Sequence, residues 1–226
     1  MTPRCLRFGH ALVAMGCLLA VTPALAQSRN QARSPVRPPV LVRATVDAGL
    51  ETFAASESFK AVFDSATAPV FGGGISVLTR PGLFADLRIS RVRTSGQRVV
   101  VLDGTVYPLG VPNALIITPV ELSAGFRWHR RNWKVNPYLG GGMGWHRVSE
   151  QATAGIGSDD APRTFSGFQA LGGMDLPLGR WLAAAGEVRW TSVPGALDHT
   201  NSVGTAFGES NLGGASVLAR VIIGRH

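Results

Sequence analysis

The chain has 226 residues and a formal net charge of +8, from 22 Lys and Arg against 14 Asp and Glu. Beyond residue 26 no apolar run approaches the roughly 20 residues that a membrane-spanning helix needs, which excludes a helical membrane protein. Both cysteines, Cys5 and Cys17, precede residue 26, so disulfides and thiolate metal sites are excluded from the rest of the chain.

Residues 1–26 are predicted to be a secretory signal peptide. A basic start precedes an apolar run from Ala11 to Ala20, and an Ala-Leu-Ala sequence places a cleavage site after Ala26. Apolar sequence continues beyond Cys17, which disfavours the alternative of a lipid-anchored protein. Residues 27–42 are rich in Pro and Arg and lack a hydrophobic period, so we predict a disordered periplasmic arm. A basic exported protein meets anionic lipid headgroups first, and no nucleic-acid partner is expected.

From residue 43 onward, apolar and polar residues alternate along eight segments, which is the period of a β-strand. The predicted strands cover residues 43–53, 70–78, 83–90, 118–128, 135–148, 164–176, 181–191 and 211–224. Long loops are predicted at 55–68, 94–117, 149–163 and 192–210, and short turns alternate with them. This rhythm is typical of outer-membrane barrels, in which long loops lie outside and short turns lie in the periplasm.

The hairpin from Thr118 to Val148 shows the alternation most clearly. Val120 and Leu122 alternate with Glu121 and Ser123, and the apolar parity of each strand ends in a Trp. In a transmembrane barrel the apolar face meets lipid while the polar face lines the interior. The sequence therefore predicts an all-β fold in residues 43–226: a closed, antiparallel, eight-stranded up-and-down transmembrane β-barrel.

The segment from Pro137 to Trp145, PYLGGGMGW, resembles the P-Y-x-G-x-G-x-G strand of the OmpA/OmpX-like outer-membrane β-barrel family. The resemblance covers the barrel domain only. It implies a monomer in the outer membrane of a Gram-negative cell envelope, with insertion by the barrel assembly machinery. The alternation of long loops and short turns predicts that both termini are periplasmic. Family members commonly end in an aromatic residue that this machinery reads, whereas this chain ends in Arg225 and His226.

Ten charged residues fall on the polar parity of the predicted strands. They are Asp47, Glu51, Asp86, Arg88, Glu121, Arg127, Asp175, Glu187, Arg189 and Arg220. The interior of an eight-stranded barrel is only just wide enough for side chains, and charges removed from water need partners. We therefore predict ion pairs that fill the lumen. The alternative is a narrow, gated pore for small solutes.

A second set of candidate residues lies near the outward ends of three strands. They are Arg91, Arg93, Arg147, Trp145 and Trp190. Guanidinium groups bind phosphates bidentately and indole rings favour a membrane interface, so this set predicts contact with outer-membrane lipids including lipopolysaccharide. The alternative is that the arginines extend into solvent.

No catalytic, cofactor-binding or metal-binding residue is predicted. His146 with Ser149 and Glu150 is similar to the Ser, His and acid set of outer-membrane lipid A deacylases, but neighbouring strand residues point to opposite faces. The other histidines lack metal-ligand spacing. We expect a non-enzymatic outer-membrane protein with a structural, adhesion or surface-interaction role. A lipid A-modifying enzyme and a soluble periplasmic lipocalin-like carrier with its apolar parity inside are the alternatives.

Overall fold

The protein is described by a computed structural model over residues 40–102, 105–129, 133–152, 162–198 and 203–225. Eight antiparallel strands form a closed barrel in which each strand pairs with its neighbours in sequence and β1 pairs with β8. They are β1 (Val40–Phe53), β2 (Thr67–Thr79), β3 (Leu83–Leu102), β4 (Thr105–Arg127), β5 (Asn136–Ala152), β6 (Arg163–Pro177), β7 (Leu182–Ser192) and β8 (Gly214–Ile223). The predicted fold class is confirmed.

Two helices lie in the first and last long loops, namely α1 (Ser56–Phe63) and α2 (Val203–Phe207). The predicted loop at 55–68 therefore contains a helix, and β2 begins at its end, at Thr67. The predicted signal peptide and residues 27–39 of the predicted arm lie outside the described residues. Residues 40–42, which were assigned to the arm, belong to β1.

The strands of the barrel are staggered. Following paired residues from Val42 through all eight strands returns to β1 at Thr52, ten residues farther along. Closing a sheet with such a stagger requires strands tilted by roughly 35–45° from the barrel axis. Eight strands closed in this way leave an interior that side chains can fill.

The two ends of the barrel differ. The short connections β2–β3, β4–β5 and β6–β7 lie at the same end as Val40 and Arg225, and we call this the turn end. The opposite end, the loop end, carries α1, the tip of the β3–β4 hairpin and α2.

The outward face of the barrel is apolar around the whole ring. Val46 on β1, Ile75 on β2 and Leu87 on β3 are 57%, 53% and 52% exposed. Along each strand the outward residues alternate with residues that point inward. On β6 the outward apolar run from Phe168 to Leu176 spans nine residues, close to the 9–11 or so that a tilted strand needs to cross a bilayer. A lipocalin-like carrier would have its apolar residues inside the barrel, so the apolar exterior argues against that alternative.

Residues 94–117, predicted as a long connection, instead extend β3 and β4 into a protruding hairpin. Leu102 pairs with Thr105, and the register shifts between Gln97 and Val99, opposite a segment in which Gly110 adopts a φ of +68°. The two residues between the paired ends, Asp103 and Gly104, lie outside the described residues. The prediction of a connection at 94–117 was wrong because β3 and β4 continue past the apolar band. Beyond that band neither face of the hairpin meets lipid, so apolar and polar residues no longer need to alternate.

Candidate functional site in the barrel interior

A network of charged side chains crosses the middle of the barrel, and Glu187 of β7 lies at its centre. The Glu187 carboxylate lies 2.9 Å from Nη1 of Arg88 and 2.8 Å from Nη2 of Arg220. Arg189, two residues along the same strand, places its Nη2 3.1 Å away. Tyr138 on β5 donates its hydroxyl to Oε2 of Glu187 at 2.9 Å. One carboxylate therefore holds three guanidinium groups and a phenol.

Two aspartates complete the network on the β1 and β3 side. Asp47 lies 3.1 Å from Nε of Arg88 and 2.7 Å from Nε of Arg220. Asp86 reaches Nη1 of the same Arg220 at 3.3 Å. Each arginine is thus shared between acids on different strands, so the network links strands that are not neighbours in the sheet.

Glu121 on β4 extends the network through Arg189, whose Nη1 lies 2.6 Å from its Oε2. All of these side chains are buried. We call the set the ionic layer: Asp47, Asp86, Arg88, Glu121, Glu187, Arg189 and Arg220. Glu51 lies on the same parity of β1 but makes no ion pair with another described residue.

A second ion pair, between Arg127 and Asp175, lies closer to the turn end. The Arg127 guanidinium also sits 5.7 Å from the ring centre of Phe84 and 5.0 Å from that of Tyr138, within cation–π range. A Cβ on Gly173 would lie 2.6 Å from Cζ of Tyr138, so the glycine makes room for the ring. Interior glycines here serve packing.

Sequence reasoning missed Arg43, which is buried on β1. It lies on the same parity as Asp47, so the two-residue period would have found it.

The interior at the loop end is apolar instead of charged. We call this set the apolar layer: Phe53, Ala55, Phe59, Ala68, Val70, Val92, Leu115, Ile117, Val193, Ala196, Leu212 and Leu218. The ring of Phe59 on α1 stacks on Phe53 at the end of β1, with centroids 4.0 Å apart. The helix therefore closes the mouth of the barrel with its apolar face.

The cap formed by α1 is held by a residue from the neighbouring β7–β8 loop. Glu209 accepts hydrogen bonds from the backbone N–H of Glu57 at 3.1 Å and of Ser58 at 2.9 Å, and from the Ser58 hydroxyl at 2.6 Å. The first N–H groups of a helix lack partners within it, and Glu209 supplies them. Partial burial works to raise the pKa of Glu209, but the hydrogen bonds from Ser58 and Glu57 and the charge of Lys60 hold it below its usual value.

The structure brings three of the five predicted rim residues together. These three are Trp145, Arg91 and Arg147. Ile89 on β3 and Trp145 on β5 both pair with Val120 of β4, and each arginine lies two residues farther along its strand toward the loop end. Both arginines are exposed and outward-facing, and so is Arg93 one step farther toward the loop end. Trp190 is also exposed, but it lies on β7, two strands away from Trp145.

His146 is buried in the interior, whereas Ser149 lies on the opposite face of β5 and Glu150 is exposed. These three residues therefore do not assemble into a hydrolase triad. Within the described ranges, no group of three or more His, Asp or Glu side chains is placed to hold a metal ion. Nor does any helix in that part of the chain have the length and apolar character to span a membrane.

No protein-family model and no curated protein matches this sequence. Among solved structures, Neisserial surface protein A is similar in fold, with a TM-score of 0.50 and 16% identity. The similarity covers 82% of this chain and 96% of that one. The fold is that of an eight-stranded outer-membrane β-barrel.

The barrel is also similar to the N-terminal β-barrel domain of Pseudomonas aeruginosa OprF, with a TM-score of 0.43, 12% identity and coverage of 80% of this chain and 96% of that one. Ail, the attachment invasion locus protein of Yersinia pestis, has a TM-score of 0.43 and 8% identity, covering 83% and 99%. The predicted resemblance to OmpA/OmpX-like barrels is confirmed at the level of the fold.

Proposed function

We propose that this protein is an integral outer-membrane β-barrel with a sealed interior and a structural or surface-interaction role. The observation that carries the proposal is the combination of an apolar exterior with an interior occupied by side chains at two levels. An apolar band around a closed ring needs hydrocarbon outside it, because the exposure of so much apolar surface to water is unfavourable. A predicted export leader supports the outer membrane as the destination.

The turn end is proposed to face the periplasm. Both ends of the described chain lie there, and short turns on that side with long loops on the other follow the usual arrangement of outer-membrane barrels. The loop end then faces outward.

Because side chains fill the interior, a plugged barrel is favoured over a channel. A solute entering from the loop end would have to displace α1 and the apolar layer, and it would then meet the ionic layer. Separating one partner from a buried ion-pair network costs about 3–5 kcal/mol, because a buried charge is left uncompensated. The same filled interior leaves the lipid A-modifying enzyme without an assembled site among the described residues.

The outer rim is proposed to contact lipid. Arg91, Arg93 and Arg147 lie directly beyond the apolar band on β3 and β5, at the level where phosphate groups of outer-leaflet lipids such as lipopolysaccharide would lie. We expect anionic lipid to accelerate folding into vesicles for the wild type but not for a variant with all three residues changed to Gln. Lys60→Gln, in the exposed α1 loop, is the matched control. Equal acceleration of all three proteins would contradict this contact.

The β3–β4 hairpin supports the surface-interaction role. Beyond the barrel its strands pair with each other and with no other described strand, and Leu102, Tyr107 and Leu109 are 59%, 50% and 52% exposed. An apolar hairpin with open edges is a site for partner binding.

The proposal is tested by refolding the protein into detergent and lipid vesicles. A membrane barrel will partition with the detergent and migrate differently in gel electrophoresis before and after heating. A soluble protein that stays in the aqueous phase and shows no such shift would overturn the membrane assignment.

A further inference from the structure

Charge is distributed unevenly between the two ends of the barrel. The described connections at the turn end carry the exposed bases Arg80, Lys134, Arg180 and Arg225 and contain no Asp or Glu. We call these four residues the turn-end basic ring. The loop end is different, since its described segments mix acids with bases. The acids are Glu57, Asp64, Glu150, Asp198 and Glu209, and the bases include Lys60, Arg98 and Arg163.

The four bases are spread around the ring. Arg80 lies in the β2–β3 turn, Lys134 in the β4–β5 connection, Arg180 in the β6–β7 turn, and Arg225 directly after β8. Every second gap between strands therefore presents a cation. In sequence, Arg130 and Arg131 add two more between β4 and β5.

Three tryptophans lie at the same end. Trp128, Trp133 and Trp181 are 44%, 45% and 57% exposed. Arg225 places its guanidinium 5.8 Å from the ring centre of Trp181, which holds a cation against the edge of the apolar band. Indole rings favour the membrane–water interface, so these tryptophans put the basic ring at headgroup level.

We propose that the turn-end basic ring binds the anionic headgroups of phospholipids in the leaflet that surrounds it. This inference rests on the proposed function, because it needs a barrel inserted in a bilayer. Cations at the edge of a membrane attract anionic lipids over about a Debye length, and no acid in these connections opposes them.

Lipid fits this surface better than an acidic polymer of the cell wall. The connections are short, so the charged groups stay beside the bilayer, and Lys and Arg stems lie along apolar surface while their heads reach the interface. Lipids surround the barrel on all sides, and the four bases are likewise spread around the whole barrel. A polymer would contact one sector.

The five tryptophans of the chain provide the readout, since three lie at the turn end and two, Trp145 and Trp190, lie toward the loop end. A variant with Trp145→Phe and Trp190→Phe reports on the turn end alone. This protein is refolded into vesicles of phosphatidylcholine and phosphatidylglycerol, with bromine carried by one lipid or the other. Bromine quenches nearby indoles, so the ratio of the two quenching efficiencies measures local enrichment of the anionic lipid.

We expect quenching by brominated phosphatidylglycerol to exceed that by brominated phosphatidylcholine at least about twofold at equal mole fraction. The excess should disappear when all four residues of the ring are changed together, Arg80→Gln, Lys134→Gln, Arg180→Gln and Arg225→Gln. It should also fall in about 1 M salt, where the Debye length is about 3 Å. The matched control carries Arg91→Gln, Arg93→Gln and Arg147→Gln and should keep the turn-end excess.

Equal quenching by the two lipids would overturn the inference, and so would an excess that survives the turn-end substitutions. Loss of binding to isolated peptidoglycan in the turn-end variant, with the lipid ratio unchanged, would assign the surface to the wall polymer and overturn it as well. If neither brominated lipid quenches and the protein lacks heat-modifiable migration, the membrane assignment itself fails.

Discussion

The two layers of the interior fill the same barrel by different physical means. In the ionic layer, charged side chains from five strands pair with one another around Glu187. In the apolar layer, aromatic and aliphatic side chains from the strands pack against α1, which enters from a loop. A buried ion-pair network contributes little net stability compared with apolar groups of the same size, but it is costly to break. Apolar burial stabilises directly, by about 25 cal/mol per Å².

This difference predicts two kinds of failure. Loss of one charge leaves partners on several strands uncompensated, so the damage reaches the whole barrel. Loss of one apolar side chain leaves a cavity at the mouth, so the damage is confined to the cap.

The largest effect is expected from Glu187→Ala, which leaves Arg88, Arg189 and Arg220 short of a shared partner. We expect the free energy of unfolding to fall by about 3–5 kcal/mol. Urea unfolding of the vesicle-inserted protein measures it. Glu150→Ala, an exposed acid on β5, is the control and should stay near the wild type. A Glu187 variant as stable as this control would show that the ionic layer does not hold the barrel.

Phe59→Ala should loosen the cap and leave the barrel intact. The ring is buried and stacked on Phe53, and deletion of such a ring costs about 3 kcal/mol or slightly more. Hydrogen exchange should show faster exchange of the α1 amides, with exchange in β7 unchanged. If β7 loses protection to the same extent, the two layers form one cooperative unit and do not fail separately.

The ionic layer could be predicted because its signal is local. Side chains in a strand alternate between the two faces of the sheet. Parity alone therefore predicts that Asp47, Arg88 and Glu187 point inward. The two-residue period does not specify partners, which explains why Glu51 was grouped with the ion pairs although it makes none with the described residues. The partner of each charge depends on register around the whole ring.

The apolar layer had a partial signal. Val92, Leu115 and Leu218 fall on the inward parity near the loop end, which indicates an apolar interior there. The helix α1 could not be predicted in the same way, since Ala55 at its N-cap position makes no side-chain capping bond. Its capping carboxylate, Glu209, lies about 150 residues farther along the chain.

The β3–β4 hairpin did leave a local signal. Asp103-Gly104, flanked by apolar and β-branched residues, is a dipeptide favoured in two-residue hairpin turns. It could have been recognised before the structure.

A smaller effect is expected from Gly96→Ala, which adds a methyl group where α1 rests on β3. The new Cβ would overlap the carbonyl oxygen of Val62, so the helix must shift. We expect about 1–3 kcal/mol of lost protection for the α1 amides. Gly179→Ala, where a Cβ meets nothing within 4 Å, is the matched control. Equal protection of the α1 amides in the two variants would show that α1 does not rest on Gly96.

The smallest effect is expected from Glu209→Gln, which weakens the capping of α1 by about 1 kcal/mol. Because the folded-state pKa of Glu209 is lowered, its contribution is present above the ordinary Glu pKa and is lost as pH falls through the folded value. Protection of α1 in the wild type should therefore decline as pH falls below about 4.3, and the decline should be weaker in the variant.

The neighbouring charges need a separate control. Glu57 and Lys60 pair at 3.1 Å, and Asp64 ends the helix, so Glu57→Gln and Asp64→Asn provide the comparison. A decline that persists in Glu209→Gln but disappears in either of these variants would assign the pH dependence to α1 itself.

The most direct test of the sealed interior is the conductance of the inserted protein in a planar bilayer. Protein that has first shown heat-modifiable migration is fused into the membrane, and current is recorded at fixed voltage. The two filled layers predict no stable open level in the wild type. A persistent open conductance of the wild-type barrel would contradict the sealed interior and establish a pore.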